Sequence, residues 1–124
     1  MWIEYQPNPC GRNVGDCAVR AISIALNIDW ETAYMMLANA GLLMCEIMNA
    51  NSVISAVLRE HGFYKKAISD KCPECYTVEE FCADHPVGIF VLGTGVHTVA
   101  VIDGNYIDSF DSGKETPVYY YYRP

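Results

Sequence analysis

A cysteine at the start of a predicted helix is the first residue of this sequence that could do chemistry. It lies in the segment Gly15-Asp16-Cys17, in which Asp16 is a good helix N-cap. The apolar residues that follow have the spacing of a helix facing a core, at Ala18, Ala21, Ile22 and Ala25. The positive end of the helix dipole favours the thiolate, and a cationic partner can bring a cysteine pKa from about 8.5 to roughly 3.5–7.5. The segment therefore predicts a nucleophilic Cys17 if the fold brings a cation to it.

A predicted β-hairpin supplies that partner. Asp103-Gly104 is a strong two-residue turn signal, and counting outward from it pairs Val99 with Asp108. Because side chains alternate along a strand, His97 lies on the same face as Val99 and diagonal to Asp108, within side-chain reach. A carboxylate beside an imidazole fixes its tautomer and stabilises the imidazolium, as a general base requires. Asp108 is favoured over Asp111, which falls on the other face or beyond the strand.

The elements that must position these residues are helices first and strands afterwards. Periodicity predicts four helices, over 17–26, 29–41, 51–62 and 77–85, and their predicted N-caps are Asp16, Asp29, Asn51 and Thr77. Strand periodicity follows over 88–92, 96–102, 105–110 and 117–122. Gly41 is expected to end the second helix, while residues 42–50 are compatible with either a connector or a continued helix. Trp2, Ile3 and Tyr5 are compatible with a short strand. Residues 63–76 show no clear periodicity. This order predicts a single α+β domain over 1–124, with helices packed on a C-terminal antiparallel sheet.

Composition narrows the function classes. The chain has 124 residues, 8 basic against 15 acidic, and a formal net charge of −7. The basic residues are scattered, so a nucleic-acid partner is not expected. No apolar run approaches the ~20 residues that span a bilayer, so no membrane association is expected. The N-terminus lacks the pattern of a secretory signal, which predicts a cytoplasmic protein whose six cysteines are mostly reduced thiols.

These residues together resemble the papain-like cysteine peptidase superfamily, in particular its short bacterial and phage members. Gly-Asp-Cys-Ala at 15–18 opens a helix, and His-Thr-Val-Ala-Val-Ile-Asp-Gly follows at 97–104, then Tyr-Ile-Asp at 106–108. The resemblance covers residues 10 to 113. It implies a papain-like fold with a Cys17–His97–Asp108 triad, no metal or cofactor, and a peptide or protein substrate. It leaves the oligomeric state open.

The sequence departs from the family pattern upstream of Cys17. The family usually donates a glutamine side chain to the oxyanion hole from about six residues before the cysteine, and Gly11 stands there. Asn13 and Gln6 are the candidate donors, beside the backbone N–H of Cys17. The hydrolase hypothesis therefore has an alternative, a non-catalytic papain-fold module that holds a protein or peptide partner. Acyl transfer instead of hydrolysis also stays open.

Other polar residues have simpler interpretations. Cys72-Pro-Glu-Cys75 invites a metal or redox interpretation, but no second Cys-x-x-Cys completes a zinc site, which favours a turn with two reduced thiols. Arg20 is expected to face solvent or bind a loop. His61 and His85 come at helix C-termini, where free carbonyl groups favour them.

Overall fold

The computed structural model describes residues 1–68 and 76–124, which form four helices and a six-stranded mixed sheet. The helices are α1 (Cys17–Leu26), α2 (Trp30–Met44), α3 (Asn51–Glu60) and α4 (Val78–Asp84). The strands are β1 (Trp2–Glu4), β2 (Tyr64–Ala67), β3 (Ile89–Gly93), β4 (Thr98–Ile102), β5 (Asn105–Asp108) and β6 (Tyr119–Tyr122). The predicted α+β class is confirmed. No described helix is long and apolar enough to cross a membrane.

The sheet has the order β1-β5-β4-β3-β6-β2, and its two edge strands correct the sequence prediction. The expected C-terminal antiparallel sheet is wrong in two respects, because β1 pairs with β5 in parallel and β2 comes from the middle of the chain. All four residues of β2 are exposed, so they carry no inside–outside alternation to predict a strand. Its pairing with β6, which matches Tyr64 with Tyr122 and Ala67 with Tyr119, defines it instead.

The hairpin that carries the candidate base is confirmed in its register. Ala100 pairs with Ile107 and Ile102 with Asn105, as counted from the turn. The turn residues Asp103 and Gly104 have φ of 49° and 79°, the left-handed conformation of a type I′ turn. The strands themselves are shorter than predicted, since β4 begins at Thr98 and β5 ends at Asp108.

Helix α1 is central to the molecule and has the predicted bounds. It ends where Asn27 adopts a left-handed conformation, with φ of 55°. The helix packs against β3 and β4 on one side and against α2 on the other, so it is buried almost all round. Its core, shared with α2, α3 and one face of the sheet, is separate from a second core that α4 forms on the opposite face. Small side chains such as Ala18 and Ala21 allow this close approach from several sides.

Side-chain hydrogen bonds confirm two of the four predicted N-caps. Asp29 accepts the Thr32 N–H at 2.8 Å, and Thr77 accepts the Glu80 N–H at 3.3 Å. Asn51 does not cap α3, because it is already the first helical residue. Asp16 occupies the N-cap position of α1, but its side chain accepts no helix N–H. Among the described helices, side-chain capping is therefore confined to α2 and α4.

Helix α2 does not end at Gly41, contrary to the prediction. It continues to Met44, and Cys45 closes it in a left-handed conformation with φ of 55°. Gly41 is needed for a different reason, since a Cβ there would lie 2.9 Å from the Glu46 carbonyl oxygen and 3.1 Å from the Met48 Cα. The returning backbone thus crosses the helix at a point that only glycine leaves open.

We expect Gly41→Ala to lower the free energy of unfolding by about 1–3 kcal/mol, because the added methyl overlaps backbone atoms that cannot rotate away. Urea denaturation of the variant beside the wild type measures this change. A glycine in an unobstructed helix would give the opposite sign, a gain of about 1 kcal/mol on replacement by alanine. A stabilised variant would therefore contradict the close crossing.

Candidate functional site

Cys17 is the first residue of α1 and is half-buried against the start of β4. Burial alone would raise the pKa of the Cys17 thiol, but its interaction with the His97 imidazole and the Thr98 backbone N–H outweighs it. The positive charges of His97 and Arg20 act in the same direction. The pKa of Cys17 is therefore lower than its ordinary value, and the site favours a thiolate.

His97 lies immediately before β4 and joins Cys17 to Asp108. Its Nε2 is 2.7 Å from the Asp108 Oδ2, which leaves Nδ1 as the ring nitrogen available to Cys17. Burial alone would lower the pKa of His97, but the hydrogen bonds and negative charges of Asp108 and Cys17 raise it to about 9. The lowered thiol pKa and the raised imidazole pKa both favour a thiolate–imidazolium pair.

The Asp108 carboxylate is buried, with 2 % of its surface exposed, and four donors surround it. Oδ2 accepts the Ser112 hydroxyl at 2.7 Å as well as His97. Oδ1 accepts the Ser109 N–H at 2.8 Å and an Arg20 Nη2–H at 3.1 Å. Burial opposes ionisation, but the hydrogen bonds from His97, Ser112 and Ser109 and the charge of His97 lower the pKa of Asp108. The carboxylate thus stays ionised and held in one orientation.

Of the two predicted environments of Arg20, solvent exposure is wrong. Arg20 is 5 % exposed and forms ion pairs with Asp16 and Asp108. Asp16 occupies the N-cap position of α1, but its side chain accepts no helix N–H and binds Arg20 and the Trp30 indole N–H instead, the latter at 2.9 Å. A buried guanidinium needs carboxylate partners, and this need redirects Asp16 away from capping. Helical spacing alone indicates that Arg20 belongs near the site, because Cys17 and Arg20 are three residues apart and share one side of α1.

The two candidate oxyanion donors lie in the loop before α1 and bind each other. The Gln6 side-chain amide donates to the Asn13 Oδ1 at 2.9 Å, and the Asn8 N–H donates to the Gln6 Oε1 at 3.1 Å. Within the described residues, neither amide is hydrogen-bonded to Cys17. Their oxyanion role stays a prediction.

The remaining polar candidates either bind other groups or lie outside the described residues. Asp111 accepts the Tyr106 hydroxyl at 2.5 Å. His61 and His85 bond the backbone carbonyls of the preceding helical turn, each at 2.8 Å. Cys72 and Cys75 lie outside the described residues. In the part of the chain that is described, no three His, Cys, Asp or Glu side chains cluster as metal ligands.

Within residues 1–68 and 76–124, two grooves adjoin the site. One, of about 470 Å³, is lined by His97 together with Val96, Phe110 and the 114–116 segment. The Phe110 ring is 5.0 Å from the His97 ring, centroid to centroid, and is 44 % exposed. The other, of about 340 Å³, is lined by 14–16 and by the side of α2 that carries Trp30. One groove therefore lies on the His97 side of the residues around Cys17, and the other lies on their α2 side.

We expect the His97 imidazole to titrate near pH 9 in the wild type, measured from its ring Cε1–H signal by NMR and assigned with His97→Gln. In Cys17→Ala the midpoint should fall, because the thiolate that stabilises the imidazolium is gone. Since the folded pKa exceeds the ordinary ~6.5, the contribution of His97 to stability is complete below about pH 6.5 and lost as pH rises through about 9. A wild-type midpoint near 6.5 would contradict the ion pair.

Comparison of the chain with protein-family models, with curated proteins and with solved structures gave no match. What the site can do therefore follows from its own geometry. A half-buried thiol at a helix start faces an imidazole whose far nitrogen is fixed by a buried carboxylate. That arrangement can generate a nucleophile and return a proton to a leaving group.

Proposed function

We propose that this protein is a thiol hydrolase of the papain-like type, which cleaves a peptide-like amide bond in a peptide or protein. Cys17 is the nucleophile, His97 the base and then the acid, and Asp108 the residue that orients His97. The observation that carries the proposal is the hydrogen bond of 2.7 Å between the His97 Nε2 and Asp108, which presents the other ring nitrogen to Cys17. The three side chains come from the start of α1, the residue before β4 and the end of β5.

The reaction follows from the charges of the three groups. The Cys17 thiolate attacks the substrate carbonyl carbon, a C–S bond forms, and the carbonyl electron pair moves to oxygen. Collapse of this adduct breaks the C–N bond, and the His97 imidazolium gives its proton to the departing amine. Water then attacks the thioester while His97 accepts its proton, and the thiolate leaves. Attack by an amine in place of water would give acyl transfer.

Free backbone N–H groups support stabilisation of the oxyanion in this scheme. The first N–H groups of a helix have no intrahelical acceptor, and the Asp16 side chain, bound to Arg20 and Trp30, does not cap those of α1. The Cys17 N–H is thus available to a developing oxyanion, with the Asn13 or Gln6 amide as the second donor. Loss of one such donor typically costs about 2.7–4 kcal/mol of transition-state stabilisation, so a single donor would give a slow enzyme.

The groove beside His97 suits the leaving-group side of a substrate. The imidazolium must reach the departing nitrogen, so the chain attached to that nitrogen runs past His97. Val96 is 94 % exposed there and Phe110 is partly exposed, which offers apolar contact, and Lys114 and Glu115 supply charge of both signs. An extended peptide segment fits such a mixed surface.

The acyl-enzyme is the intermediate that tests this proposal. On incubation with a p-nitrophenyl ester, we expect release of p-nitrophenolate in a burst with one equivalent per chain, together with an acyl adduct on Cys17 located by peptide mass spectrometry. His97→Gln should lower the acylation rate by about 10²-fold or more, because general acid–base assistance by a side chain contributes roughly 10²–10⁴-fold.

Cys10→Ser is the matched control, since Cys10 is an exposed free thiol outside the site. It should leave the burst unchanged, whereas Cys17→Ser should abolish it. Acylation of Cys17 no faster than that of Cys10 would reject the hydrolase and leave the non-catalytic binding module as the better account.

A further inference from the structure

A buried guanidinium lies beside the three proposed catalytic groups, and the reaction as written does not use it. Arg20 and its partners Asp16 and Asp108 are all at most 5 % exposed. Placing these charges out of water is costly, and well-packed apolar side chains in their place are often equally stable or more so. Fold stability therefore explains this charged cluster poorly. Because the cluster lies next to Cys17 and His97, a role in the site explains it better.

The geometry of Arg20 spans the two parts of the molecule that must meet at the site. Its backbone belongs to α1, one turn after Cys17, and its Nη2 reaches the Asp108 Oδ1 on β5 at 3.1 Å. Its Nη1 binds Asp16, the residue immediately before Cys17. One rigid, planar group therefore contacts both the start of the nucleophile helix and the carboxylate that holds His97.

Arg20 also determines which oxygen Asp108 offers to His97. With Oδ1 occupied by Arg20 and the Ser109 N–H, Oδ2 is left for His97 and Ser112. Rotation of the carboxylate would break all four contacts. The imidazole is thereby kept in the orientation that directs its free nitrogen at Cys17.

We propose that Arg20 is a positioning residue of the proposed triad, which fixes the Cys17 helix against Asp108 and so aligns His97 with the thiol; this inference rests on the proposed function. Its charge also favours the thiolate. Among the described residues, the other titratable or charged groups facing this cluster are His97 and Asp108 from the hairpin, Asp16 before α1, and Tyr119 on β6. The pKa of Tyr119 is raised by burial and by the nearby Tyr121 and Cys17. Lys114 and Glu115 line the groove next to His97.

The test follows iodoacetamide alkylation of Cys17 against pH, with Cys10 as internal reference, in the full-length protein. In Arg20→Met we expect the pH of half-maximal alkylation to rise by about one unit or more, and the rate at pH 6 to fall about tenfold. We also expect loss of the slowly exchanging His97 Nε2–H signal in the NMR spectrum, because Asp108 is no longer held. Arg59→Met makes the same change on an exposed helical position and should alter neither readout.

Arg20→Lys keeps the charge but replaces the fork by a single ammonium, which cannot bridge two carboxylates in the same way. We expect an intermediate pH profile, and this variant decides the question if Arg20→Met does not fold. A wild-type pH profile with a retained imidazole N–H signal in a folded Arg20 variant would overturn the inference, since a merely structural role would lower only thermal stability. If wild-type Cys17 reacts no faster than Cys10 at pH 6, the proposed function fails instead.

Discussion

The buried carboxylate of Asp108 is the group on which the arrangement of the site depends. An ionised carboxylate with 2 % exposure is stable only if hydrogen bonds and cations replace its hydration. Those donors come from three parts of the chain: Arg20 from α1, His97 from the start of β4, and Ser109 and Ser112 from the segment after β5. Satisfying one charge therefore brings the nucleophile helix, the hairpin and the following loop to fixed relative positions.

The same charge links structure to reactivity. Asp108 keeps His97 protonated, and His97 with Arg20 favours ionisation of Cys17. Charges of alternating sign thus run from Asp16 through Arg20, Asp108 and His97 to Cys17. Because the cluster is largely shielded from solvent, each charge acts on its neighbour more strongly than it would at the surface.

Local patterns predicted a large part of this arrangement. The bounds of α1 followed from its apolar spacing, and the Asp103-Gly104 turn gave the register that puts Asp108 diagonal to His97. The strand β2 could not be predicted, because its four exposed residues become a strand only by pairing with β6. The buried position of Arg20 could not be predicted for a similar reason, because the need of Asp108 for a cation arises only when strand and helix meet. A glycine that ends a helix and one that lets another segment cross it look alike in sequence, and the crossing backbone near Met48 explains Gly41.

The central claim is that His97 lowers the pKa of the Cys17 thiol and pairs with its thiolate as the imidazolium. Ultraviolet difference titration of the wild type against Cys17→Ser isolates the absorbance of this one thiolate. We predict that the thiolate persists below the ordinary cysteine pKa of about 8.5, with a second change near the His97 pKa of about 9. A single transition at or above pH 8.5 would contradict the account.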